Sequence, residues 1–323
     1  MNKIIRYNIL LATALLLLIG CLRDSFDNCP RPFQITIRAF DADNIDITTL
    51  GDVERVILFL FDQNEQFIDT QEFSVDHIIN RRPIDVRFEY GSVPEFIIFD
   101  AWANICDRVS FCYSGTVSQR TDIALRLNRC EVLQLLATRG AEHEVVVSPG
   151  DLFTGLLEEV RVELGGNEPG RSHVVDIFRR TAGVHIRAIN LQAFNNNREG
   201  NYRFEVHGSV DALCHLGTHT GDWVILTPSA TFVENNHFVT DEIFRMLASE
   251  DIVYQEEDIV INIFFENELI YSVDRDSNGN PFIPVVGRTL NIIIDLSPDG
   301  GSKLDVRTVV TPWNEVWQHV EWR

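Results

Sequence analysis

Positive charge is scarce in this chain of 323 residues. Its 27 lysine and arginine residues, only two of them lysine, stand against 48 aspartate and glutamate residues, which gives a formal net charge of −21. Such a balance repels phosphate groups. The sequence therefore predicts no nucleic-acid partner, and it predicts that any membrane attachment depends on something other than a basic patch.

Motifs of nucleotide binding and nucleophilic catalysis are also missing. The sequence contains no G-x-S-x-G elbow, no P-loop and no G-x-G-x-x-G fingerprint. Carboxylates are so numerous that no two of them stand out as an acid and base pair, and a solvated acidic surface explains them more simply. We therefore predict a protein that is not an enzyme, with no catalytic residues and no cofactor.

No apolar run is long enough to cross a bilayer. The longest, Ile9 to Ile19, has about 11 residues, whereas a spanning helix needs about 20. It follows the basic residues Lys3 and Arg6 and leads into Leu18-Ile19-Gly20-Cys21, which has the pattern of a bacterial lipobox. An ordinary secretory signal with a chance cysteine is the alternative, but the small-residue cleavage site of such signals is absent.

The lipobox predicts a signal peptide over residues 1–20 and attachment of lipid to the Cys21 thiol. Each buried CH₂ group of the acyl chains contributes roughly 0.8 kcal/mol, and two or more chains hold a protein stably on a membrane. Residues 21–32 then form a short lipidated tether. The chain is expected at the outer membrane, lipid-anchored and exposed on the cell surface.

Six cysteines are present, and acylation of Cys21 would leave an odd number. An exported protein permits disulfides. Cys106 and Cys112 flank a short segment and are the candidate disulfide pair. The alternative is that the remaining cysteines are buried free thiols that pack as small hydrophobic residues. Three cysteines are left without an assignment: Cys29, Cys130 and Cys214.

The rest of the chain has the pattern of β-strands. Residues 33–40 alternate apolar and polar side chains, as a half-buried strand does. Val56 to Phe61 is a continuous apolar run suited to a central strand, and residues 62–65 form a turn into Phe67 to Phe73, which predicts a hairpin. A single good helix is predicted over Thr240 to Ser249, with Thr240 as its N-cap. The fold class is therefore all-β with few short helices, built as β-sandwiches.

A cluster of glycine and proline between Gly165 and Gly170 suggests a domain boundary. It divides the chain into an N-terminal β-sandwich domain over residues 33–168 and a C-terminal β-sandwich domain over residues 169–323. Arg171, Arg179 and Arg180 follow this boundary, where we interpret them as charges of turns and strand edges.

Two short motifs resemble metal sites. Asp274-x-Asp276-x-Asn278-Gly279 matches the first half of a calcium loop, but position twelve, which should be glutamate, is Val285. A hairpin turn explains the same residues. Cys214-His215-x-x-x-His219 offers zinc ligands without a supporting second motif, so a loop between strands is the simpler interpretation. We predict no metal site.

Several segments in a fixed order resemble one protein family. Asp27-Asn28-Cys29-Pro30 ends the tether, and Phe99-Asp100-Ala101-Trp102-Ala103-Asn104 ends a strand. Asp151-Leu152-Phe153-Thr154-Gly155 and Phe178-Arg179-Arg180-Thr181-Ala182-Gly183-Val184 follow. Together with the lipobox, this order resembles the FimB-type, fimbrillin-associated anchor lipoproteins, and the resemblance covers most of the mature chain.

The resemblance implies two transthyretin-like β-sandwich domains in tandem and an outer-membrane lipoprotein at the base of a fimbrium. Such a subunit attaches the pilin shaft to the cell surface and can limit its length. Its partners would be pilin subunits, bound by strand exchange or edge pairing, and the outer membrane, bound through acyl chains. The aromatic tail from Val309 to Trp322 is either an exchanged or capping strand or a packed final strand.

A surface glycan-binding lipoprotein is the alternative function. In that case exposed tryptophan rings would stack on sugars, whereas burial in the core is the more common location of a tryptophan. The candidates are Trp102, Trp223, Trp313, Trp317 and Trp322.

Overall fold

The structure is a computed structural model that describes residues 30–87, 93–106, 108–111, 117–129, 144–165, 170–233, 236–247, 259–296 and 304–317. The described residues are almost entirely β, which confirms the predicted fold class. Their helices are α1 (Val75–Ile79), α2 (Leu191–Phe194) and a single 3₁₀ turn (Arg120–Asp122). None of these described helices is long and apolar enough to pass through a bilayer.

The strands of the described residues are β1 (Phe33–Phe40), β2 (Arg55–Asp62), β3 (Phe67–Ser74), β4 (Ile84–Val86), β5 (Phe96–Ala103), β6 (Val109–Phe111), β7 (Ala124–Leu127), β8 (Glu144–Val146), β9 (Phe153–Arg161), β10 (Ser172–Arg179), β11 (Thr181–Ile189), β12 (Tyr202–Cys214), β13 (His219–Leu226), β14 (Ala230–Val233), β15 (His237–Thr240), β16 (Phe244–Leu247), β17 (Val260–Phe265), β18 (Glu268–Val273), β19 (Arg288–Asp295) and β20 (Asp305–Pro312).

The first sheet has the order β3-β2-β5-β9-β10-β1-β4. It bends at β9, which pairs with β5 along most of its length but with β10 only at Phe153 and Thr154. Alternate side chains of the strands on either side of this bend, such as Ile37 and Leu58, point into a common core. We call this unit the first sandwich.

Strands β2 and β5 are buried on both faces, which explains their nearly continuous apolar sequence. Leu58 and Phe99 face the core of the first sandwich, whereas Phe59 and Trp102 face a second, larger core. The predicted hairpin is confirmed, because β2 pairs with β3 from Arg55–Ser74 to Phe61–Phe67.

The second sandwich consists of two sheets around the larger core. One has the order β14-β15-β11-β19-β20, with β16 also paired to β11, and the other has the order β18-β17-β12-β13-β8, with β7 paired to β12 and β6 to β7. Ile186 and Ile292 from the first of these sheets and Phe204 and Ile263 from the second lie in one hydrophobic cluster and are fully buried.

Strand pairing crosses the predicted boundary between residues 168 and 169. Strand β10 begins at Ser172 yet pairs in parallel with β1 in the first sandwich. In the opposite direction, β7 pairs with β12 and β8 pairs with β13 in the second sandwich. The sheets are therefore not divided at that position, and the tandem transthyretin-like division stays a prediction.

The helix predicted over Thr240 to Ser249 is wrong in its described part. Thr240 ends β15, and Phe244–Leu247 is β16, which pairs with β11. Phe244, Met246 and Leu247 are buried against the core. The Thr240 hydroxyl, predicted as an N-cap, instead accepts a hydrogen bond from the Ile186 amide at 3.3 Å. Sheet pairing with a buried partner outweighs the weak helix preference of a ten-residue segment.

Candidate functional site

The chain enters the first sandwich through a clamped segment at one end of that sandwich. Pro30 forms a β-bridge with Leu164. The Arg31 amide donates to the Glu163 carbonyl at 2.8 Å, and Arg31 Nε donates to the Gly165 carbonyl at 2.9 Å. These bonds fix the point from which residues 21–29 leave the described structure.

We call the described residues around this point the collar; it consists of residues 30–32, 85–87, 93–96, 161–165 and 170–172. Strand pairing brings these ranges together: Phe33 is opposite Val86, and Phe96 is opposite Arg161. The Gly170 amide donates to the Pro32 carbonyl at 2.9 Å, which closes the collar on the β10 side.

At the opposite end of β10, the two sandwiches meet around the side chain of Arg179, which is only 2% exposed. Arg179 Nε donates to Asp151 Oδ1 at 2.8 Å, and Nη2 lies 2.8 Å from Asp151 Oδ2 and 2.9 Å from Asp52 Oδ2. Burial raises the pKa of Asp151, and the charge and hydrogen bond of Arg179 oppose that rise. Arg179, Asp52 and Asp151 are the centre of what we call the junction site.

Aromatic rings stack on the Arg179 guanidinium. Its central carbon lies 4.9 Å from the Phe153 ring centroid and 4.2 Å from that of Trp313. Trp313 follows β20, the last strand, so the C-terminal segment packs on the connection between β10 and β11. A desolvated cation–π contact of this kind contributes about 2 kcal/mol. The junction site thus joins residues of both sandwiches and of the tail.

Two further contacts strengthen the junction. The Asn104 side chain donates to the Asp52 and Asp151 carbonyls at 2.7 and 2.8 Å, which orients both acidic segments. Gly287 has φ +66°, and a Cβ atom there would lie 2.7 Å from the Ala42 Cβ. The close approach between the loop after β1 and the start of β19 therefore requires glycine at this position.

A second buried arginine lies where the 3₁₀ turn packs on the first sheet. Arg120 is 3% exposed, and its Nε lies 3.5 Å from Asp100 Oδ2. Its Nη1 lies 3.1 Å from Glu158 and 3.4 Å from Glu65. Burial raises the pKa of Asp100 to about 7, and Arg120 offsets that effect only in part. We call these four residues the inner site.

The predicted candidate residues are distributed as follows. Cys21, the predicted lipid attachment residue, and Cys29 and Cys130 lie outside the described residues, as does Cys112 of the predicted disulfide. Cys106 is exposed, so its pairing with Cys112 stays a prediction. Cys214 is half-buried, and its Sγ lies 2.9 Å from Thr218 Oγ1.

The three arginines near the predicted boundary differ in their environments. Arg171 is an exposed charge paired with Glu163, as predicted. Arg180 Nε donates to Thr154 Oγ1 at 2.6 Å and is partly buried. The interpretation of Arg179 as an edge charge is wrong, because it is the buried centre of the junction site.

The calcium-like motif forms a tight turn. Asp276 Oδ1 accepts the Asn278 and Asn280 amides at 2.9 and 2.8 Å, so the carboxylate closes its own loop. Among the described residues, no group of three or more histidine, cysteine or acidic side chains is placed to hold a metal ion.

The tryptophans proposed for glycan stacking do not form an exposed platform in the described part of the chain. Trp102 is 1% exposed, and Trp313 has Arg179 against its ring. Trp223 and Trp317 are partly buried, and Trp322 lies outside the described residues. Exposed coplanar rings are what that function requires, so these positions count against it.

The segments that carry the family resemblance converge on the junction site. Asn104, Asp151, Phe153 and Arg179 come from three of those segments and are all in contact there. Sequence reasoning did not predict Asp52 or Trp313 as members. Trp313 carried a signal, as an aromatic residue in the tail, but its partner could not be inferred from the sequence alone.

The described residues form an all-β protein of two sandwiches joined at the junction site. A family model described as "Fimbrillin-A associated anchor proteins Mfa1 and Mfa2" matches residues 26–319. The chain belongs to this family, which confirms the resemblance inferred from the sequence.

Relatives agree with this assignment. The chain is 33% identical over 312 residues to "Major fimbrium anchoring subunit FimB" of Porphyromonas gingivalis strain W83, covering 94% of this chain and 93% of that protein. A second Porphyromonas gingivalis protein of that name is 34% identical over 304 residues, covering 93% and 91%. The solved structure of the fimbrial anchor protein Mfa2 from Porphyromonas gingivalis superposes with TM-score 0.58 at 13% identity, covering 88% of this chain and 98% of that one.

Proposed function

We propose that this chain is the anchoring subunit at the base of a fimbrium, held in the outer membrane by lipid on Cys21. The pilin shaft attaches to its folded part, and the attached subunit limits growth at that end. The family match over residues 26–319 supports the anchoring role, and the collar supports the tether, because it fixes the exit of the chain nine residues after Cys21. Force on the folded part would then reach the membrane through residues 21–29.

The pilin partner would bind by edge pairing or strand exchange, which supply backbone hydrogen bonds and register together. Strands β3, β14, β18 and β20 end their sheets and could offer such edges. Strand β20 pairs with β19 over all eight of its residues, from Asp305 to Pro312. This supports the interpretation of its part of the tail as a packed final strand.

Deletion of the gene tests the anchoring role. We expect fimbriae to be released into the medium and to change in length, and re-expression of the wild-type chain to restore cell-bound fimbriae. Fimbriae that remain cell-bound at unchanged length after deletion would contradict the proposal.

Fractionation of cells tests the lipid attachment separately. Cys21→Ala should abolish incorporation of a labelled fatty acid and move the protein from the outer-membrane fraction to a soluble fraction. Cys214→Ala is the matched control, since it removes a half-buried cysteine with no assigned disulfide partner and leaves the lipobox intact. Continued membrane attachment of Cys21→Ala would refute the acyl anchor.

A further inference from the structure

We infer that the collar is a membrane-contact surface that lies against the phosphate-bearing headgroups of the bilayer holding Cys21. This inference rests on the proposed lipid attachment and extends it from the tether to the folded part of the chain. It assigns the collar end of the first sandwich to the membrane side.

The length of the tether places the collar close to the bilayer. Cys21 and Pro30 are nine positions apart in the chain. Fully extended, at roughly 3.3–3.6 Å per residue, this segment reaches at most about 30 Å, and any less extended conformation brings the collar closer. The Arg31 bonds fix the point where the tether meets the folded part, so the collar is the described surface joined most directly to the membrane.

The collar also has the residue types that suit a headgroup layer. Leu164 is 49% exposed, and Val93 is 42% exposed. Arg161 and Arg171 also belong to the collar, and the Arg171 side chain, which pairs with Glu163 at 3.1 Å, is 84% exposed. Exposed apolar side chains next to arginine match an interface where the apolar group enters the headgroup boundary and the guanidinium meets phosphate.

Charge distinguishes the collar from the far end of the second sandwich. The collar's described residues include four arginines and three acids: Arg31, Arg87, Arg161, Arg171, Asp85, Glu95 and Glu163. Glu89 and Glu168 belong to the adjoining segments of sequence, so the region is near neutral rather than basic. In a chain of net charge −21, a near-neutral end repels phosphates least.

The far end is the region where β11 ends and β12 begins, together with the β17–β18 turn, the end of β19 and the start of β20. Arg198 pairs there with Glu268 at 2.9 Å, and Asn190 donates to Asp295 at 3.2 Å. Five acids and three arginines lie in this region: Glu199, Glu266, Glu268, Asp295, Asp305, Arg198, Arg203 and Arg307. Because acids exceed arginines here and do not exceed them among the collar's described residues, anionic lipid would repel this end more strongly than the collar.

Quenching by brominated lipid tests the contact directly. The acylated full chain is placed in vesicles of phosphatidylethanolamine and phosphatidylglycerol, with and without acyl chains brominated near the headgroup. Leu164→Trp adds a reporter in the collar. Leu269→Trp is the matched control, because Leu269 is 51% exposed and lies in β18, outside the collar.

We expect the added emission of Leu164→Trp to be quenched about twice as strongly as that of Leu269→Trp, since a side chain at the headgroup boundary lies within reach of the bromines. Reversing charge with R161E/R171E should reduce the quenching in the Leu164→Trp background. Equal quenching of the two reporters, or no effect of R161E/R171E, would overturn the inference.

The design separates this inference from the lipid attachment. Co-flotation of each variant with the vesicles reports the acyl anchor alone. A chain that floats but shows equal quenching keeps the anchor and refutes the collar contact. A chain that does not float refutes the proposed lipid attachment itself, and the collar contact with it.

Discussion

The junction site and the inner site each bury an arginine between carboxylates, but they do so differently. Arg179 makes contacts of 2.8 to 3.0 Å with two aspartates and has aromatic rings on its guanidinium. Arg120 makes contacts of 3.1 to 3.5 Å, and its Nη2 has no hydrogen-bond partner among the described residues. The contacts of the junction site therefore compensate the buried charge of Arg179 more fully than those of the inner site compensate the charge of Arg120.

This difference indicates what each site does. A buried ion pair offsets its desolvation only when its geometry is good and its remaining hydrogen bonds are made. The junction site meets that condition, so it can hold the two sandwiches and the tail in one arrangement. The inner site does not meet it, and burial raises the pKa of Asp100 to about 7 because Arg120 offsets the desolvation only in part.

The largest expected effect comes from Arg179→Leu. It leaves Asp151 buried without its Arg179 partner and removes the cation–π contacts with Phe153 and Trp313. We expect a loss of roughly 3–5 kcal/mol in the free energy of unfolding, the usual cost of breaking a buried pair. Urea denaturation of the purified protein measures it.

Two controls sharpen this prediction. At pH 6, Arg120→Leu should lower the free energy of unfolding by less than Arg179→Leu does, since Asp100 can bind a proton when Arg120 is absent. Arg82→Leu removes an exposed pair with Asp76 and should cost less than about 1 kcal/mol. An Arg120→Leu variant that is less stable than Arg179→Leu would reverse the comparison between the two sites.

The next effect is a pH dependence of the inner site. The pKa of Asp100 is about 7 in the folded chain and about 3.9 when unfolded. The folded state therefore binds the Asp100 proton more tightly than the unfolded state does. The free energy of unfolding that this proton contributes is present below about pH 4 and is lost as the pH rises through about 7. Asp100→Asn removes that loss.

Urea denaturation of wild type and of Asp100→Asn at a series of pH values measures this pH dependence of the free energy of unfolding. Between about pH 5 and pH 8, we expect wild type to lose about 1–3 kcal/mol relative to Asp100→Asn. The difference between the two proteins isolates Asp100 from His185, whose pKa burial lowers to about 4 and which acts in the opposite sense. Parallel curves would show that Asp100 is ionised in the folded protein throughout.

The smallest of these effects is that of the ring over Arg179. Trp313→Ala should cost about 1–2 kcal/mol through the lost cation–π contact, and Trp313→Phe should recover part of it. Hydrogen exchange would show faster exchange at the end of β20 in the alanine variant. If exchange there is unchanged, the tail is held by β19 pairing alone.

Much of the fold could be predicted because the relevant signals are local. Alternation in β1 and the apolar run of β2 depend on neighbouring residues, and both predictions hold. The helix prediction over Thr240 to Ser249 failed because the buried partner of β16 is β11, some sixty residues earlier in the chain.

The junction could not be predicted for a related reason. Arg179, Asp52 and Trp313 are separated by more than a hundred residues from one another, and only the folded chain brings them together. An arginine beside a glycine and proline cluster has the same local sequence whether it is exposed or buried. The segments that carry the family resemblance contain several junction residues, but the sequence does not show that these residues contact one another.

The central claim is that Cys21 connects a fimbrium to the membrane. It is tested most directly by replacing the native chain with Cys21→Ala in cells and measuring the share of fimbriae in the culture medium. We predict that most fimbriae move to the medium and carry the Cys21→Ala protein with them, while Cys214→Ala leaves them on the cell. Fimbriae that stay on the cells bearing Cys21→Ala would contradict the claim.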